Sequence, residues 1–344
     1  MSVNTLGVSD FDRRRPLAGR RMLRAAGRAT VAATLAMFGV AAPIAGAGAQ
    51  LGSAGALATA GRTEPAIEPL VSTEWLQREL GRPDLVILQL GGAEEFAKGH
   101  VPGAVFLDYN REVIAPAIDG GLRVELPTGD ALQAMLRTKG VTTSSRVVIV
   151  FDQPSTFVRA GRTFFTLEWA GLAGRVAVLD GGYPKWAREA RYVATGAGKR
   201  VAPATNLTLV PETARRATAD DLVATIGKTG IRIVDARDTV FYQDLRDNQM
   251  PRGGHIASAV NLSFSTVTNA DGTLRSHEEL TSLVGAAGIG ADESLTTYCH
   301  IGVQASWIYL ALRVLGRDVR MYDGSFDEWS RDGSLPIEGA KPRP

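Results

Sequence analysis

A single cysteine, Cys299, stands among the 344 residues, so no intrachain disulfide can form and stability has to come from packed cores. Four histidines accompany it, and their spacing matches no metal-ligand pattern, so no metal site is expected. Charge of one sign is also scarce. A formal net charge of +2 calls for no nucleic-acid or acidic-membrane partner through a global field. What is plentiful is apolar side chain, 45% of the residues, which at this length suits two packed domains.

Most of the positive excess lies at the start, where Arg13, Arg14, Arg15, Arg20, Arg21, Arg24 and Arg28 precede an Ala-rich apolar run over residues 29–49. The run ends in Ala47-Gly48-Ala49, a small-residue pattern suited to cleavage, so residues 1–49 are expected to be an export signal and residues 50–66 a linker. The Arg20-Arg21 pair admits a twin-arginine route beside the Sec route, giving a periplasmic or extracellular protein with no membrane attachment after cleavage. The alternative is an uncleaved anchor, disfavoured by Pro43 and by the weak hydrophobicity of so many Gly and Ala residues. In an oxidising compartment an unpaired thiol is a reactive group, and catalysis is one explanation for it.

From Ile67 onward, strand-like and helix-like stretches alternate, the pattern of an α/β fold with a mainly parallel sheet flanked by helices. Ser72 is positioned to cap a helix to about Leu80, residues 85–90 are an unbroken apolar strand, and Gly129-Asp130 opens a helix to Lys139. Strands follow at residues 147–151 and 176–179, with a helix over 164–170 between them. The two halves repeat. LDGGYPKW (179–186) matches YDGSFDEW (322–329), GHVPGAVFL (99–107) matches GHIASAVNL (254–262), and VVIVFD (147–152) matches SLTTYC (294–299). The expected domains are residues 67–194 and 218–335, with a linker at 195–217 and a tail at 336–344. This pairing puts Asp152 opposite Cys299, and Gln89 and Gly91 opposite Asp235 and Arg237, so the first half is expected to be inactive and the second to be catalytic.

Cys299 itself follows a short buried strand (295–298) and precedes a helical pattern over 306–315, which makes residues 299–305 a turn at a βα junction. There the turn amides and the unsatisfied N–H groups of the first helical turn converge, a small anion site that stabilises a thiolate. Gly302 permits the close turn, and Ala305 and Ser306 keep the helix mouth narrow. The competing reading is a small buried hydrophobe. His100 and His255, repeated in both halves, are expected to be fold-forming, and Trp186 and Trp329 to be core anchors.

CHIGVQAS resembles the Cys-x-x-Gly-x-x-Ala loop of the rhodanese-type sulfurtransferases, and VDAR (234–237), GHIASAVNL and VRMYDGSFDEW (319–329) surround it in the family's order. The resemblance, to the two-domain kind, covers about residues 69–334 and implies tandem rhodanese-like domains. It implies transfer of sulfane sulfur from thiosulfate to a thiophile, cyanide or a thiol, through a persulfide on Cys299, a transfer that needs no cofactor. The partners are then a small anionic donor and a thiophilic acceptor, bound at His300, Ile301, Gly302, Val303, Gln304, Ala305 and Ser306. Many members carry an arginine six residues after the aspartate of VDAR; here that position is Phe241, leaving Arg252 as the nearest substitute. Arg237 either holds the substrate anion or pairs with Asp235. A partly protonated His300 would favour thiosulfate over 3-mercaptopyruvate, the alternative donor. A Cys-based phosphatase or arsenate reductase would want an arginine where Ala305 and Ser306 stand, and a non-catalytic sulfur carrier is the alternative of another class.

Overall fold

The computed structural model describes residues 66–247 and 249–341. The expected export signal and most of the following linker lie outside the described residues. The first half runs β1 (Leu70–Val71), α1 (Thr73–Glu79), β2 (Leu85–Leu90), α2 (Ala93–Lys98), β3 (Ala104–Leu107), α3 (Gly129–Thr138), β4 (Arg146–Val150), α4 (Phe157–Leu167), β5 (Val176–Leu179) and α5 (Gly182–Arg188). The second runs β6 (Arg216–Ala217), α6 (Ala219–Val223), β7 (Ile231–Asp235), α7 (Thr239–Tyr242), β8 (His255–Ile256), β9 (Val260–Asn261), α8 (His277–Ala286), β10 (Ser294–Tyr298), α9 (Val303–Val314), β11 (Val319–Tyr322), α10 (Ser325–Arg331) and β12 (Ile337–Glu338).

Each half holds a five-stranded, wholly parallel sheet, ordered β1-β5-β4-β2-β3 and β6-β11-β10-β7-β9, so the repeat in the sequence is a repeat of topology. Parallel strands need cover on both faces, which is why β2, apart from Gln89, and β4, after its opening Arg146, are apolar throughout rather than alternating. Helix starts follow their caps. The Ser72 side chain accepts from Trp75 N at 3.1 Å, and Ser276 and Glu279 form a reciprocal capping box at α8.

The halves meet where α4 crosses α9. A Cβ on Gly161 would lie 3.0 Å from both Cα and N of Trp307, so the missing side chain lets the two helices approach. Phe165 meets Tyr309 edge-to-face at 5.2 Å, and one apolar cluster runs continuously from Leu88 and Phe164 to Cys299 and Leu310. Buried Glu168 accepts from Tyr309 Oη at 2.7 Å and pairs with Arg313 at 3.3 Å and Arg215 at 3.5 Å, which satisfies the carboxylate inside that contact.

Several expectations shift. β6 pairs with β11 inside the stretch expected to be linker, and β12 pairs antiparallel with β8 inside the expected tail; two-residue strands carry too little periodicity to be seen in sequence. The linker is no loose tether: Leu207 is fully buried, and its carbonyl accepts two bonds from Arg137 on α3, at 3.2 and 2.7 Å. The repeat alignment moves by one residue. β10 sets Tyr298 beside Asp235 as β4 sets Val150 beside Gln89, and Tyr183 N donates to Phe151 O as Phe326 N donates to Cys299 O. Phe151, not Asp152, therefore stands where the cysteine stands. The two histidines play matching parts, His100 bonding Phe96 O and His255 bonding Tyr242 O through Nδ1, each at 2.9 Å. Trp186 and Trp329 are buried, with their indole N–H groups on Tyr192 O and Pro336 O. Among the described residues no helix is long and apolar enough to cross a membrane.

Candidate active site

Cys299 lies at the C-terminal end of β10, the second sheet's central strand and the end at which parallel sheets build their sites. The turn is shorter than expected. Helix α9 begins at Val303 rather than near Ser306, so only Cys299, His300, Ile301 and Gly302 separate strand from helix. Gly302 caps α9 with φ +79°, and a Cβ there would meet Arg162 Nη1 at 2.7 Å and Asp323 O at 2.9 Å. Only glycine fits both the backbone and the space.

The turn's carbonyls are held from behind. Phe326 N donates to Cys299 O and Asp327 N to His300 O, each at 2.9 Å, using amides that the start of α10 leaves unpaired. Cys299 N donates to Ser325 Oγ at 3.3 Å, and Ser325 adopts φ +52° to bring that hydroxyl round. With the carbonyls turned away, the amides of Ile301, Gly302, Val303, Gln304 and Ala305 donate to no acceptor among the described residues. They form the free N–H concavity that an anionic sulfur requires. Ser306 contributes no hydroxyl, because its Oγ donates to Val303 O at 2.6 Å.

Arg237 and Asp235 are both fully buried and paired, with Nε at 3.0 Å and Nη2 at 2.5 Å from the carboxylate; Nη2 also donates to Gly254 O. Tyr298 Oη donates to the same carboxylate at 2.5 Å. One donor remains, since Arg237 Nη1 is buried without a partner among the described residues, and Cys299 lies within the field of this guanidinium. Arg252 does not reach the site: its donors go to the carbonyls of Trp329, Ser330, Asp332 and Leu335, closing the end of α10. The role expected for it as a substrate arginine is corrected on that ground, since carbonyls left over at a helix end attract a guanidinium. Phe241 packs edge-to-face on His300 at 4.8 Å, and the exposed Arg246 lies 5.8 Å over the Phe241 ring.

His300 is half-buried with Nδ1 3.1 Å from Gln304 Oε1. Desolvation first, then the positive field of Arg237, pull its pKa down to about 4. The imidazole is neutral at physiological pH, so the partly protonated His300 expected from sequence is corrected.

Sequence reasoning placed the first half beside the site as a packing and cleft-forming partner whose Arg159 or Arg162 could border the cleft, and Arg162 does so. Arg162, fully buried on α4, donates to Asp323 Oδ1 at 2.5 Å, to Val124 O at 2.7 Å and to Gly302 O at 3.4 Å. A strap over residues 114–127 crosses the start of α10, with Arg123 N and Nε on Asp327 Oδ2 (3.3 Å) and Leu126 N on Asp323 Oδ2 (3.1 Å). Arg331 returns the contact through the carbonyls of Gly120 and Gly121. The signal that would have singled out Arg162 is an arginine inside the apolar run of α4, where a charge has to be paired.

Residues 72–189 and 218–332 match the model of the rhodanese-like domain. A putative thiosulfate sulfurtransferase of Saccharopolyspora erythraea is 30% identical over 279 residues, 79% of this chain and 96% of that protein. The 3-mercaptopyruvate sulfurtransferase of Escherichia coli (strain K12) is 29% identical over 284 residues, 79% of this chain and 98% of that one. Among solved structures, YnjE superposes with a TM-score of 0.70 at 22% identity, over 80% of this chain and 69% of that chain, a likeness of fold. Since both copies of the domain are matched and relatives of this similarity span them both, the chain belongs to the two-domain rhodanese-type sulfurtransferases.

Proposed function

We propose that the protein moves sulfane sulfur from thiosulfate to a thiophile through a persulfide on Cys299. The observation that carries this reading is the turn after Cys299, where five consecutive amides are left without acceptors. The thiolate attacks the outer sulfur of thiosulfate, the S–S bond breaks, and sulfite leaves with the electron pair. The persulfide anion stays among the amides of Ile301 to Ala305 until cyanide or a thiol takes its outer sulfur, restoring the thiolate. Splitting the transfer into two half-reactions predicts ping-pong kinetics.

Because His300 is neutral, the preference for thiosulfate rests on its size and charge. A compact dianion is satisfied by backbone amides and the free Nη1 of Arg237, whereas the carboxylate and keto groups of 3-mercaptopyruvate need directed side-chain donors. Cys299 has no exposed surface, so the donor enters only with a local opening. Intact mass after thiosulfate treatment tests the reading: one added sulfur, about 32 Da, is expected in the wild type and none in Cys299→Ser. Sulfite release without a mass change, or a higher kcat/KM with 3-mercaptopyruvate, would overturn the mechanism or the donor respectively. Export to the periplasm or beyond belongs to the same proposal and is tested by whether mature protein from its host begins near Gln50.

A further inference from the structure

Tyr109 opens a π-helical turn, Tyr109–Val113, whose start is capped by the Asp108 side chain on the amides of Asn110 and Arg111. Its side chain is buried, 6% exposed, yet its hydroxyl has no hydrogen-bond partner among the described residues. A phenol held out of water with nothing to bond is a standing cost, and native structures rarely carry one without a use. The side chain belongs to the apolar cluster that runs through both halves and also contains Cys299, and the charges acting on it are those of Arg162 first, then Arg159, Cys299 and Asp323. The exposed guanidinium of Arg159 sits 5.5 Å over its ring. Burial pushes the phenol up to about 12, so at neutral pH it keeps its proton and can only donate to an anion.

We propose that the Tyr109 hydroxyl hydrogen bonds the oxyanion end of the sulfur donor while Cys299 attacks, so that the half without a nucleophile supplies a catalytic group. The inference rests on the sulfurtransferase reading above and extends it to a second side chain. As the Sγ–S bond forms and the S–S bond breaks, the electron pair moves onto the departing sulfite, and Tyr109 O–H points at a sulfite oxygen as its charge grows. No proton is transferred. Arg159 adds positive charge beside the ring, and Arg237 Nη1 is the matching unpartnered donor from the catalytic half. The site is thereby completed across the contact between the halves, which explains why a domain lacking the cysteine stays packed on the one that has it.

Tyr109→Phe removes the hydroxyl and nothing else. In single turnover with thiosulfate, persulfide formation on Cys299 is expected to slow on the order of 10- to 100-fold, the worth of one hydrogen bond to a charged group. Discharge of the preformed persulfide by cyanide, which expels no sulfite, should stay within about threefold. Equilibrium binding of sulfite, measured by calorimetry, should weaken roughly tenfold. The urea midpoint should hold or rise, since an unpaired buried hydroxyl has been removed; a lower midpoint would reveal a structural partner and overturn the proposal. Wild-type rates with unchanged sulfite affinity would also overturn it. If the wild type forms no persulfide from thiosulfate, the sulfurtransferase reading falls, and the sulfite comparison alone still decides for or against the tyrosine.

Discussion

Replacing Arg162 by methionine tests whether the first half is held to the active turn by a buried charge pair. Arg162 and Asp323 both have side chains with no exposed surface, and the guanidinium also supports Val124 O and Gly302 O. Breaking such a pair from one side typically costs about 3–5 kcal/mol, because the remaining charge stays in the interior. Asp323 would keep Leu126 N at 3.1 Å and Arg216 at 3.9 Å, which places the expected loss near the lower end, about 3 kcal/mol. For a chain of this size, with an unfolding entropy of about 0.7 kcal/mol/K, that is roughly 4–5 °C in Tm. Asp323→Asn should also destabilise, leaving the arginine uncompensated, while Arg162→Met with Asp323→Asn removes both charges and should recover part of the loss. The assay is a double-mutant cycle in urea at neutral pH, with persulfide formation followed in parallel. A loss under about 1 kcal/mol in Arg162→Met, or a double variant equal to the sum of the singles, would refute the reasoning.

Other outcomes follow from the same geometry. His300→Ala should change kcat/KM by a factor that is constant between pH 6 and 9, about two units or more above the pKa of about 4, since a neutral ring contributes no titrating charge there; a loss growing toward pH 6 would restore the imidazolium. Glu125, half-buried beside Asp323, is pushed up to about 7 by burial first and by that neighbour second, so the folded state binds more protons than the unfolded one between pH 4.5 and 7. Stability from this group is therefore lost as pH rises through that window. With the carboxylate about a third exposed, Glu125→Gln should gain about 1–2 kcal/mol over the wild type at pH 8 and converge with it near pH 5, as paired denaturation curves would show. Gly302→Ala should abolish persulfide formation and lower Tm, since its Cβ collides with Arg162 and with the Asp323 carbonyl; a folded, active alanine variant would contradict that placement.

The sequence alone determined the fold class, the repeat and the position of the cysteine, because each is written in local pattern. β2 and β5 have the expected bounds, since apolar runs between turn residues report buried parallel strands directly. Cys299 was legible because a strand, a glycine-containing turn and a helix were contiguous around it. The tertiary structure decided everything that depends on residues far apart in the chain. Whether Arg252 meets substrate or the end of α10 turns on carbonyls about 80 positions away, and the neutrality of His300 turns on its burial and on Arg237. The repeat register slipped by one residue because VVIVFD and SLTTYC share no identical residue to pin the alignment, whereas hydrogen bonds from Tyr183 and Phe326 fix it. Sequence could offer Arg162 only as a group bordering the cleft and gave no sign of the strap, since their partners lie in the other half and only the crossing of α4 on α9 brings Arg162 to Gly302 and Asp323.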